Sequence, residues 1–200
     1  EIAKRLCLSL ELYIKGSLSV FAHQTNVKLN KRFVVYDTCE LNKQLKALGL
    51  MVVLDQVWNR ITANKTAGRR TWFYTDEFYL LFQDEHSANY YYELYKRARK
   101  WGAVPTGITQ NVSDLLRSPT ACTMLSNAEF VILMNQSASD RATLSEIMNI
   151  SERQIEFVTD VDSGEGLIIA GKNVLPFVDK FPKDTKLYHL MSTKFNEESS

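Results

Sequence analysis

The chain has 200 residues, 45% of them hydrophobic and 24% charged, a normal composition for a single folded domain with a real core. Lysine and arginine number 24 against 23 acids, giving a formal charge of +1. That balance argues against a dedicated nucleic-acid coat protein and leaves room for a local basic patch.

Residues 3–14 carry Ala3, Leu6, Leu10 and Ile14 at helical spacing. Residues 16–31 are polar and irregular. Phe33 to Asp37 is a short apolar run rich in β formers and is expected to be a strand. A long helix follows, with one stripe at Leu41, Leu45, Leu48 and Val52 and another at Leu50, Leu54, Val57 and Ile61. Two stripes imply burial on more than one side. The helix breaks at Asn64 to Gly68. Thr71 to Thr75 reads as a strand ending in Asp76-Glu77, and a tyrosine-rich helix covers about 86–101. Val104 to Thr109 is a second strand of the same kind, ending in Gln110. Short helices are expected at 111–116 and 119–126, then a strand at Glu129 to Met134 and a helix at 139–149. Ser151 to Gln154 has the Ser-x-x-Gln form of a capping box. Gly166 to Ala170 and Asn173 to Phe177, joined by Gly171-Lys172, form a hairpin signal. The alternation of continuous apolar strands with helices predicts a mainly parallel sheet covered on both faces. The expected organisation is a single domain over 1–200, with a helical and irregular lead-in at 1–32, an α/β core at 33–182 and a tail at 183–200.

Ligands of open parallel sheets bind at the carboxyl ends of the strands. Four mostly apolar residues, Trp72 to Thr75, followed by Asp76-Glu77, have the form of a Walker B motif. There the aspartate holds Mg²⁺, usually through water, and the glutamate polarises the attacking water. The same pair is equally the form of a solvated turn or a helix cap. About 30 residues, one strand–helix–strand step, separate Asp76 from Gln110. Gln110 should therefore emerge on the same sheet edge, where an amide both donates to and accepts from a phosphate or water. Its other reading is a polar residue near a helix N-cap, a role Asn111 or Ser113 serves as well. Arg97 and Arg99 lie in the run Lys96 to Gly102. Such arginines stabilise charge in phosphoryl transfer, often in a neighbour's site, or contact a phosphate backbone. They also suit a solvated helix end favoured by the helix dipole. Tyr90, Tyr91 and Tyr92 are consecutive, so they cannot share a helix face and should pack at a junction. Cys7, Cys39 and Cys122 have no metal-ligand spacing with one another or with His23, His86 or His189. Their sparse count fits a reducing compartment, hence the cytoplasm. No signal peptide is visible. The longest apolar stretch, around Leu48 to Leu54, is far short of the roughly 20 residues that span a bilayer.

Taken in order, these segments resemble the large conjugation ATPase family of type IV secretion systems, the CagE/TrbE/VirB group in its Gram-positive conjugative-element form. Phe21 to Val27 is similar to its F-x-x-x-T-N segment, and Phe33 to Leu41 to its strand-then-helix. Thr71 to Phe82 resembles its Walker B region, Arg97 to Leu116 its Arg-Lys-x-Gly, strand, Thr-Gln and helix, and Gly164 to Pro182 its closing hairpin. The resemblance covers nearly the whole chain. It implies a RecA-like P-loop NTPase fold and a parent protein that hydrolyses ATP with Mg²⁺. That parent would be a hexamer at the cytoplasmic face of the membrane, working with other secretion or conjugation components on a DNA or protein substrate. Asp76 and Glu77 carry over as the Walker B pair, with Asp76 on the metal side, Gln110 as the polar sensor, and Arg99 as an arginine acting between subunits. No Gly-x-x-x-x-Gly-Lys-[Ser/Thr] stretch occurs in the chain. Because it opens at Glu1 on a helical pattern, the chain is expected to be a fragment whose phosphate loop precedes Glu1, and to bind nucleotide poorly alone. Two other readings stay open: a related DNA-pumping motor of the HerA/FtsK type, and a non-catalytic assembly module.

Overall fold

A computed structural model describes residues 1–192 except 17, 25, 28, 30 and 111, with backbone alone at 12, 43 and 44. Thr25 of the Phe21–Val27 segment and Asn111 thus lie outside the described residues. The chain divides into two compact units. One comprises Glu1–Phe73 and Glu93–Pro105; the other holds Tyr74–Tyr92 and the described residues from Thr106 onward.

The first unit opens with helix α1 (Ile2–Ile14), followed by a 3-10 turn at Ser19–Ala22. Helix α2 (Lys43–Thr66) starts at Asn42, whose side chain accepts from the Leu45 amide and so satisfies one of the first orphan N–H groups. Leu45, Leu54 and Ile61 are buried hydrophobic side chains of this helix, drawn from both apolar stripes. Gly49 lets Leu41 lie against the helix, since a Cβ there would overlap the Leu41 side chain. The Arg60 guanidinium donates to the carbonyls of Leu29 and Lys31, tying the irregular lead-in to α2.

Strands β1 (Thr71–Thr75) and β2 (Ala103–Gly107) pair in parallel. The Thr71 amide donates to Gly102 at the start, and the Ile108 amide donates to Thr75 at the end. Between them runs α3 (Glu85–Ala98), capped by Asp84, whose carboxylate accepts from the Ser87 amide at 2.9 Å. Each of these three elements contributes residues to both units.

The second unit continues with a 3-10 turn at Phe78–Phe82, α4 (Val112–Leu116) and α5 (Pro119–Ser126). Then come β3 (Phe130–Leu133), α6 (Ala138–Met148) and α7 (Glu152–Ile155). Ser151 and Gln154 form the expected capping box reciprocally. Strands β4 (Glu165–Ala170) and β5 (Asn173–Val178) form the expected hairpin, and α8 (Lys186–Met191) lies in the tail. Leu133, Leu144, Ile150, Val158, Leu167 and Ile169 make this unit's core.

Three strand expectations change. Phe33–Asp37 pairs with no strand among the described residues. Phe33 and Val35 are 83% and 73% exposed, so the burial that rewards a strand is missing. Asp37 instead accepts from the Cys39 amide, a local turn that holds its carboxyl below the usual range. Strand β3 does not join the parallel pair but runs antiparallel to β4, with Leu133 opposite Leu167. Along β1, Trp72 and Tyr74 are exposed, so that strand alternates rather than being covered on both faces.

Candidate functional site at the carboxyl end of the parallel strands

Ile108 organises the end of the strand pair. Its N–H donates to the Thr75 carbonyl at 2.8 Å, and its own carbonyl accepts from Phe78 at 2.8 Å. The Asp76-Glu77 turn is thereby pinned on both sides by the residue that follows β2. Gly107 makes this approach possible: a Cβ there would stand 2.7–2.9 Å from the Phe78 ring. Phe78 has no room to yield, because its ring lies 4.8 Å from that of Phe82 and 5.2 Å from that of Tyr91. Tyr91, 1% exposed, is the junction residue of the tyrosine triplet.

Inside the pinned turn the Glu77 backbone is left-handed, with φ of 45°. A non-glycine residue there stores on the order of 1 kcal/mol of strain. The Glu77 amide donates to Asp76 Oδ1 at 3.0 Å, which offsets part of that cost. Asp76 is exposed and Glu77 half-buried. Among the described residues neither carboxylate takes part in an ion pair.

Gln110 lies two residues beyond Ile108 and is exposed. The Ser113 hydroxyl donates to Asp140 at 2.5 Å, so it is engaged with α6 rather than capping α4. Asp76 and Glu77 follow β1 and Gln110 follows β2, so all three lie beyond the same end of the β1–β2 pair. Arg99 does not join them. It sits in a 3-10 turn, Arg99–Trp101, that precedes β2. Arg97 pairs with Glu93 at 3.3 Å, the solvated helix-end reading.

Among the described residues no three metal-ligating side chains cluster. Asp76 therefore fits Mg²⁺ only in the manner of a nucleotide site, where one carboxylate and water meet an ion carried mainly by phosphates. The Ile108 clamp and the left-handed turn had no signature in the sequence. The aromatic run Phe78 to Phe82 next to Asp76-Glu77 was the one available hint.

Comparison with known proteins shows the family and the fold. A profile of the TraG P-loop domain family matches residues 6–190. Among solved structures, VirB4 of Thermoanaerobacter pseudethanolicus superposes with a TM-score of 0.77 at 26% sequence identity, over 90% of this chain and 50% of that one. The chain thus spans about half the length of that structure. No curated protein matches the chain significantly.

Proposed function

Since the chain belongs to the TraG P-loop domain family and has the P-loop NTPase fold of VirB4, we propose that it is the hydrolysis and coupling part of an ATP-driven motor for conjugative transfer or type IV secretion. The observation that supports this reading is the Asp76-Glu77 turn after β1, pinned by the Ile108 backbone, with Gln110 two residues beyond that clamp.

In this reading Mg²⁺-ATP supplies the phosphoryl group and the charge that activates it. Asp76, with its exposed carboxylate, would hold the ion through its water shell. Glu77, the Walker B glutamate, orients the attacking water and takes its proton. Gln110 would donate to the γ-phosphate and accept from the water at the same edge. Arg99, at the other end of β2, serves only a neighbouring subunit's site, as a hexameric ring allows. Among the described residues no helix is long and apolar enough to cross a membrane. In this reading the motor works with other secretion or conjugation components at the inner face of a membrane, with DNA or protein as the transported substrate.

Glu77→Gln in the full-length protein should lower ATP turnover by about 100-fold or more, the usual worth of a general base. Nucleotide binding by calorimetry should persist. Normal turnover in that variant would overturn the assignment. The lack of a Walker A stretch in these 200 residues favours one other reading, a non-catalytic assembly module. ATP hydrolysis by the wild-type full-length protein separates the two.

A further inference from the structure

The amino end of the same strand pair carries a different chemistry. Two tight turns lie side by side there, joined by the hydrogen bond from the Thr71 amide to Gly102. Each contains a left-handed glycine, Gly68 with φ of 67° and Gly102 with φ of 68°. Each also presents two adjacent exposed cations, Arg69-Arg70 before β1 and Arg99-Lys100 before β2.

Both turns are braced. The Arg69 amide donates to Asn64 at 2.8 Å and the Gly68 amide to Lys65 at 3.0 Å. The Asn64 side chain donates to the Thr71 hydroxyl at 2.9 Å. Gly102 closes the second turn onto Arg99 at 3.2 Å. Lys65 stands over the Trp101 ring, 4.0 Å from its centroid, and links the two turns. The cations are therefore held on ordered backbone, which lowers the entropy cost of using them.

Among the described residues none of these four cations takes part in an ion pair. Residues 60–70 and 94–103 contain no Asp or Glu. The flanking Glu93 is taken by Lys96 and Arg97. In a chain whose formal charge is only +1, this is segregation and not general basicity.

We propose that these paired turns form a sequence-independent grip for a nucleic-acid phosphate backbone, centred on Lys65, Arg69, Arg70 and Lys100. Guanidinium forks fit phosphate oxygens bidentately, and neighbouring strand ends space the cations into a row. An anionic membrane is the lesser fit. Of the three tryptophans, Trp58 and Trp101 are half-buried against each other, with centroids 5.1 Å apart, and Trp72 alone is exposed, a single ring where an interfacial belt needs several. The proposal deepens the motor reading by naming what the motor holds, and it rests on that reading for its purpose.

The test is fluorescence anisotropy of labelled single-stranded and duplex DNA of arbitrary sequence with the full-length protein, without nucleotide. Affinity should fall steeply between about 50 and 200 mM salt. Arg69→Ala with Arg70→Ala and Lys100→Ala should weaken binding about 10-fold or more and reduce the salt slope by about 1 for each phosphate no longer neutralised. The conservative Arg69→Lys with Arg70→Lys should retain most of the affinity, which separates lost charge from lost fold. Equal affinity in the alanine variant overturns the proposal, as does binding to phosphatidylserine vesicles with none to DNA. ATP turnover without DNA should be unchanged in the alanine variant. A failed Glu77→Gln test with intact DNA binding would sink the motor reading alone.

Discussion

Glu77 and Asp84 are two acids whose backbone settings matter more than their charge. Glu77 occupies a left-handed conformation that glycine tolerates without cost. Glu77→Gly should leave urea-unfolding stability equal or raise it by up to about 1 kcal/mol, while removing the carboxylate the chemistry needs. A clear loss of stability would show that the turn is not strained. Asp84 caps α3, and the Ser87 amide holds its carboxyl below the usual range. A lowered folded-state value means the cap contributes fully above the unfolded-state pKa and is lost as pH falls through the folded one. Asp84→Ala should therefore cost about 1 kcal/mol near neutrality and progressively less below about pH 4, measured by denaturant unfolding across pH. Asp84→Asn should keep most of the cap.

At the scale of elements, two glycines decide which strands can meet. A Cβ on Gly166 would overlap the Leu133 carbonyl oxygen in the β3–β4 ladder, and backbone cannot step aside as a side chain can. Gly166→Ala should cost about 3 kcal/mol, at the upper end for overpacking. Gly107→Ala presses on Phe78 and should cost about 1–3 kcal/mol, also loosening the turn that carries Asp76 and Glu77. Thermal unfolding of each variant checks the order. Local patterns were legible in the sequence for a local reason. The Ser151–Gln154 box, the Gly171-Lys172 hairpin and the periodicity of α2 are each written in neighbouring residues. That polar residues follow the ends of β1 and β2 was also legible, because Asp76-Glu77 and Gln110 each come after an apolar run of β formers, although β2 ends at Gly107, two residues earlier than the run suggests. What escaped depends on partners remote in the chain. Phe33–Asp37 has strand composition but no neighbour among the described residues, and β3 takes its direction from a hairpin over 30 residues on. The resting place of Phe78 on Gly107 likewise requires β1 and β2 to be already paired.

For the molecule as a whole, the two units carry different chemistries, cations without acidic sequence neighbours in the first and the acids Asp76 and Glu77 with the amide Gln110 in the second. The 200-residue chain contains no Gly-x-x-x-x-Gly-Lys-[Ser/Thr] stretch to cradle phosphates. Calorimetry on residues 1–200 should accordingly detect no ATP binding, and tight binding would show that another part of the chain replaces that loop. The Trp58–Trp101 pair has an optical consequence. Indoles 5.1 Å apart couple their electronic transitions and give a two-signed circular dichroism band, to which the exposed Trp72 adds little. Both rings belong to the first unit, so the band reports on that unit alone, while the bulk helical signal reports on both. Melting curves that coincide would mean that the two units unfold as one cooperative block, and curves that part would time them separately.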